Sequence, residues 1–269
     1  MKKAQKFLSF FLCCALLSAR FDARAEESPA EDAVDAQITK VEPEGSAQIF
    51  YHDQDHKGVT AEAGMPLEAG DRVETGPDGH VEIGLSGDSM IELGPNTKFT
   101  VTSLKNSWTE FSLKAGLMFA KLQNLFKKKG RLLVKTPTAV ASVRGTEFGV
   151  EYGDTGATDV AVFDEGEVVV EGGEGGAQSV VLAPNQETSV VLGRGPEKPR
   201  AMERFLRHRA RVHVIRKRML GMRRTWRAVP PGKRREIRQR TFERRLRIHR
   251  QINERRRKFK ENRPEKRGR

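Results

Sequence analysis

The sequence predicts a mainly β domain, a sandwich or a short β-solenoid, followed by a basic α-helical tail. Three observations carry that expectation. Short apolar-alternating runs recur about every ten residues between Ala47 and Leu192. The charge is split: residues 201–269 hold 28 basic and 6 acidic side chains, a net of +22, whereas residues 1–200 hold 21 and 30, a net of −9. Apolar residues beyond Ala201 fall at heptad spacing. A chain of 269 residues polarised in this way reads as two objects, which argues against one compact enzyme with scattered charge. At 37% hydrophobic and 7% aromatic residues, part of it is expected to be extended or conditionally ordered.

Residues 1–25 read as a secretory signal peptide. Lys2, Lys3 and Lys6 form the charged start, Phe7–Ala19 the apolar run and Ala23-Arg24-Ala25 the small-residue cleavage site. Retained as an anchor, the 13-residue run spans roughly 20 Å against a hydrocarbon core of about 30 Å, which favours cleavage. Cys13 and Cys14 lie inside the run, so a cleaved chain has no disulfide, thiol nucleophile or cysteine–metal site. A periplasmic or secreted location follows. Residues 26–36, acidic with Pro and Ala, read as a linker.

Residues 37–193 are assigned to the β domain. The expected strands are Ala47–Tyr51, His80–Leu85, Ser89–Leu93, Lys98–Thr102, Leu117–Leu122, Leu132–Lys135, Glu147–Tyr152, Asp159–Phe163, Glu167–Glu171, Ser179–Leu182 and Thr188–Leu192. Pro77-Asp78-Gly79, Gly94-Pro95-Asn96 and Glu165-Gly166 supply turn chemistry between them, through the fixed φ of Pro and the easy positive φ of Gly. Strands at this spacing with no helical pattern between them indicate an all-β architecture. Gly172–Gly176 reads as a hairpin tip. In Thr136–Val150 the apolar residues switch from odd positions (Ala139, Ala141, Val143) to even ones (Phe148, Val150). Because the strand period is two, one residue must be absorbed between the halves, and Gly145 is the natural corner or bulge. Arg144 then sits at the kink, as a structural arginine or as a contact for a carboxylate or phosphate.

These residues also carry a family resemblance. The run TPTAVASVRGTEFGV followed by Val160–Val168 resembles the signature of the FecR domain family. Leu67–Gly76 resembles that family's GD-x-V-x-TG segment, and Ile91–Thr97 its L-G-x-x-S turn. The likeness runs from about Ile38 to Leu192, with departures at Ser86-Gly87-Asp88-Ser89, where Asp-Gly-Ser is usual, and at Asn185-Gln186, where Gly-Gln is usual. The resemblance implies an extracytoplasmic β-rich module for sensing, signalling or protein contact, without catalysis. The family's founding regulators carry a cytoplasmic anti-sigma segment and a transmembrane helix ahead of this domain; neither is legible here, so sigma-factor regulation is not expected to carry over.

Residues 194–200 read as a second linker and residues 201–269 as an Arg-rich helical tail. Phe205, Val212, Met219 and Trp226 stand seven apart, with His208, Ile215, Met222 and Val229 three beyond each. Val229-Pro230-Pro231-Gly232 should end that helix, and a second with a weaker seam (Ile237, Phe242, Leu246, Ile248, Ile252, Phe259) should follow. Antiparallel packing of the two as a helical hairpin is the simplest shelter for both seams. The candidate contact residues are Arg144 in the β domain, then Arg204, Arg211, Arg218, Arg223, Arg224 and Trp226, and finally Arg234 and Arg235. Three partners fit such a tail: an anionic envelope surface, the acidic β domain itself or another acidic protein surface, and nucleic acid. Export ranks nucleic acid last. A solvated helical stalk is the remaining possibility.

No catalytic motif emerges: neither His-Glu-x-x-His, Gly-x-Ser-x-Gly nor a phosphate-cradling Gly-x-x-x-x-Gly-Lys is present. His52-Asp53-Gln54-Asp55-His56 resembles a metal cluster but reads as a solvated loop tip, so no metal or cofactor is assigned. The carboxylates around Asp154–Glu174 read as a solvated acidic edge. The expectation is a non-enzymatic binding, scaffold or signalling module. The alternatives are a carboxylate-dependent hydrolase of envelope polysaccharide and a nucleic-acid-binding protein.

Overall fold

The structure, a computed structural model, describes residues 33–54, 58–123 and 130–261. The leader at 1–25 and most of the acidic linker therefore lie outside the described residues. From Ala33 onward the described chain forms one compact unit, with no division at residues 194–200. In chain order the strands are β1 (Ala36–Glu42), β2 (Ala47–Phe50), β3 (Val59–Thr60), β4 (Pro66–Leu67), β5 (Arg72–Thr75), β6 (His80–Leu85), β7 (Ser89–Leu93), β8 (Lys98–Leu104) and β9 (Trp108–Lys121). Then come β10 (Arg131–Lys135), β11 (Ala139–Val143), β12 (Glu147–Tyr152), β13 (Ala157–Val162), β14 (Val168–Gly172), β15 (Gln178–Leu182), β16 (Gln186–Val191) and β17 (Arg200–Ala201). Two helices follow, α1 (Arg209–Thr225) and α2 (Pro231–Glu261).

The strands make two layers joined by β9. One layer runs β4–β1–β6–β7–β9–β12–β13–β16–β17. The other runs β3–β2–β5–β8–β9–β10–β11–β14–β15. The first part of β9 pairs with β8 and β10, and Gly116–Lys121 pairs with β12. Gly116, at φ +89°, makes the transfer, and a Cβ there would meet Thr97 Cα at 2.5 Å, so a larger residue is excluded. The chain crosses between layers repeatedly, and inward residues of both share one core: Ile83, Ile91 and Phe148 from the first meet Ile49, Phe99 and Val170 from the second. That arrangement is a sandwich.

His80–Leu85, Ser89–Leu93 and Glu147–Tyr152 are strands with the expected ends. Gly145, φ +59°, turns the corner between β11 and β12, which lie in opposite layers, and Val143 and Phe148 both reach the core. The sequence reading omitted β1, β5, the first part of β9 and the two-residue β3, β4 and β17. A register shift between Ile38 and Lys40 breaks the alternation of β1, and β5, Arg-Val-Glu-Thr, offers a single large apolar residue.

The helical hairpin expected of the tail gives way to a different arrangement. Val212, Ile215, Met219 and Met222 of α1, with Met202 and Phe205 just ahead of it, pack on Met90, Phe119, Ala161 and Phe163. These last four lie on the outer face of the first layer. The heptad seam is thus buried against a sheet. The second helix instead contacts β3 and β4, and Phe242 packs against the main core. The first helix ends at Thr225, four residues earlier than expected, and Pro231 occupies the first turn of α2, where its missing N–H costs nothing. Among the described residues no helix is long and apolar enough to cross a membrane.

Candidate functional site

Strand alternation puts carboxylates on the outer face of the first layer around its apolar centre: Glu82, Glu92, Glu147, Glu151, Asp159 and Glu187. An arginine lies against each, from the tail in every case but Glu187, which takes Arg200 just ahead of it. Arg204 reaches Glu151 and Asp159 at 3.2 and 3.0 Å, and Arg200 reaches Glu187 at 3.2 Å. Arg211 pairs with Glu92 and Arg218 with Glu82. Arg216 forks onto Glu147 and also bonds Asp164 at 2.9 Å; Arg209 reaches Asp164 at 2.8 Å and Arg223 reaches Asp88 at 2.7 Å. Glu147 and Glu92 are only 0% and 1% exposed. A carboxylate buried that deeply needs a partner, because solvent is no longer there to hold its charge. Burial pushes the Glu92 carboxyl above its ordinary range despite Arg211, and does the same to Asp159 against Arg204. The Glu147 hydrogen bond drives the Arg216 guanidinium upward, against its own desolvation.

A second cluster fixes α2. Arg238 is 2% exposed. It donates to both oxygens of Asp71 (2.7 and 3.0 Å) and to Asp53 (2.6 Å), and it lies 3.1 Å from Glu68. Its guanidinium also sits 4.3 Å from the centre of the Tyr51 ring. Burial works against the charged form, but bonding to Asp53 and the charge of Asp71 outweigh it, and the guanidinium pKa is raised. Asp71 accepts further bonds from the backbone N–H groups of His52 and Glu68, at 3.0 and 2.8 Å. Arg234 pairs with Asp35 and donates to the Val229 carbonyl at 2.9 Å, and Arg244 meets Glu62 at 3.0 Å.

Of the residues singled out from the sequence, Arg204, Arg211, Arg218, Arg223 and Arg234 are therefore held within the fold. Arg224 and Arg235 are exposed, and Arg144 is exposed at the corner between β11 and β12. Trp226 is half-buried over Gly84 and Gly87, where an added Cβ would meet its ring. Arg209, Arg216 and Arg238 were missed; nothing in the sequence distinguishes them among 28 basic tail residues. Within the histidine–aspartate run, His52 and Asp53 serve the Arg238 cluster, and Asp55 and His56 lie outside the described residues. The described residues contain no group of three or more His, Cys, Asp or Glu able to hold a metal.

His208 links the tail to the sheet. Its ring lies 5.0 Å from that of Phe119 and 6.1 Å from that of Phe205. Burial, then the charge of Arg207, holds its pKa below the ordinary 6.5. Between the two values the unfolded chain binds a proton that the folded chain rejects, so stability falls as pH drops through the histidine range. His80, lowered chiefly by burial, acts in the same sense, and the raised Glu92 and Asp159 act oppositely. The comparison that isolates His208 is His208→Phe. The loss of thermal midpoint between pH 7.5 and 5.5 is expected to be smaller in the variant; equal losses would contradict the assignment.

The fold and these contacts define a β-sandwich module that carries its own basic helical cover. Residues 71–169, from Asp71 under Arg238 to Val169 in β14, match the family model described as FecR protein, and the resemblance read from the motifs holds. The tail lies outside that match. Two crystal structures of an inferred anti-sigma factor from Parabacteroides distasonis are similar at 17% identity and TM-score 0.43, covering 50% of this chain and 61% of theirs. The chain thus spans less than two-thirds of those relatives. No curated protein matches it.

Proposed function

We propose that the protein is a non-enzymatic extracytoplasmic binding module, periplasmic or secreted, in which a FecR-like sandwich anchors an Arg-rich helix and presents its far half to anionic envelope lipid. The observation that supports this reading is the division of labour among the tail's arginines. Most of those in α1 and in α2 up to Arg244 answer carboxylates of the sandwich; the exceptions are Arg224 and Arg235, which are exposed, and Arg240, which pairs with Glu236 of its own helix. Farther along α2, Arg247, Arg250 and Arg255 are exposed. Ile248 and Ile252, one turn apart on the same side of the helix, are 47% and 45% exposed. Guanidinium groups beside a small apolar pair suit the headgroup layer of an anionic bilayer, where phosphate accepts bidentate bonds and the aliphatic side chains enter the interface. The hydrolase reading has less support, because among the carboxylates around Asp154–Glu174 Asp159 is engaged by Arg204 and Asp164 by Arg209 and Arg216.

The test is binding of the full chain to phosphatidylglycerol-containing and purely zwitterionic vesicles across a salt series. Binding should require the anionic lipid, weaken with salt and fall several-fold in the triple variant Arg247→Gln, Arg250→Gln, Arg255→Gln. Binding that is insensitive to salt and unchanged in the variant would reject the reading.

A further inference from the structure

The two layers have four edges among the described residues, and they are unlike. β3 and β4 are two residues long and lie against α2, and β17 is two residues long and carries Arg200. The fourth edge is β15, five residues long and paired on one side only, with β14. Natural sheets protect such an edge with charge, Pro, a bulge, shortness or a cover. Among the described residues β15 carries no charge, Pro or bulge and is not short, and the one segment found against it, around Gly195, lies at the side chain of its first residue, Gln178. Residues 175–186 contain no charged side chain, in a chain that is 32% charged, and the strand reads Gln-Ser-Val-Val-Leu. Val181 is 53% exposed. The non-ladder backbone hydrogen bonds of the described residues do not involve residues 178–182.

We propose that β15 is the docking edge for a second copy of this chain, the two β15 strands pairing antiparallel about a dyad at Val180. That register sets Ser179 opposite Val181 and Gln178 opposite Leu182, so neither copy brings a charge into the ladder and no like charges meet. The position of the tail permits it. α2 lies at the β3 and β4 edges, and β3 and β15 are separated by the full width of a nine-stranded layer. Eight steps of about 4.8 Å put roughly 38 Å between those edges. The screening length at physiological salt is about 8 Å, so the stretch of α2 held at β3 and β4 does not oppose this contact. A continuous sheet running through both copies results.

The experiment is sedimentation velocity of the full chain from about 1 μM to 1 mM, at low and high salt, with hydrogen exchange followed on residues 178–182. Dimerisation is expected, with little salt dependence, and the amides of β15 should gain protection as concentration rises. Val181→Lys should weaken the dimer at least tenfold while leaving thermal unfolding unchanged; Ser179→Lys is the second probe should the first variant fold poorly. A monomer throughout the range overturns the proposal. So does a dimer that dissociates with salt, which would assign the contact to the tail, or one that persists in both variants.

Discussion

Removing residues 201–269 is expected to leave a β domain that does not persist as a soluble, folded monomer. Met202, Phe205, Val212, Ile215, Met219 and Met222 are each 8% exposed or less, and all pack on the outer face of the first layer. Burying a large apolar side chain contributes about 1.5–3 kcal/mol. Six of them together rival the whole net stability of a domain, about 5–15 kcal/mol. Deletion would also expose Met90, Phe119 and Phe163 as one patch and strip arginines from Glu82, Glu92 and Glu147. The expected readouts are aggregation, or dye binding with loss of the cooperative thermal transition. Deletion of residues 246–269 alone should leave that transition nearly in place. A monomeric, cooperatively folding product from the larger deletion would show that the helical cover is dispensable.

Arg238→Ala is expected to cost about 3–5 kcal/mol, the range for stripping one partner from a buried ion pair. Asp71 is 0% exposed and would be left charged without its fork. Arg238→Lys should recover only part of the loss, since an ammonium has one nitrogen and lacks the planar fork that sets separate nitrogens on the two Asp71 oxygens. The double variant Arg238→Met with Asp71→Asn should be less damaging than Arg238→Ala, because it removes the buried charge along with its partner. Denaturant unfolding of the three variants decides it. A loss below about 1 kcal/mol for Arg238→Ala would place the residue with ordinary surface pairs.

Both the β domain and the seam of the tail were legible, because alternation and heptad spacing report burial directly. Phe205, Val212, Ile215, Met219 and Met222 were all singled out by spacing, and all are buried. What the seam packs against was not legible: periodicity says which side of a helix is covered and nothing of the covering surface. Charge misled in a related way. Glu82, Glu92 and Glu147 alternate with core residues and so resemble solvent-facing positions, yet they lie beneath arginines more than sixty residues away in the chain. Arg238 had no signal of its own, because its partners Asp53 and Asp71 converge on it only through the turn after β2 and the start of β5.

Limited digestion with trypsin tests the central claim most directly, since every arginine of α1 and α2 is a cleavage site and packing decides access. Within residues 201–261, early cuts are expected beyond Arg244 and at Arg224 and Arg227, which are exposed at the link between the helices, with α1 from Arg209 to Arg218 and the first half of α2 left in resistant fragments. Early cutting after Arg211, Arg216 or Arg218, at rates like those after Arg247 and Arg250, would contradict a tail folded onto the sandwich.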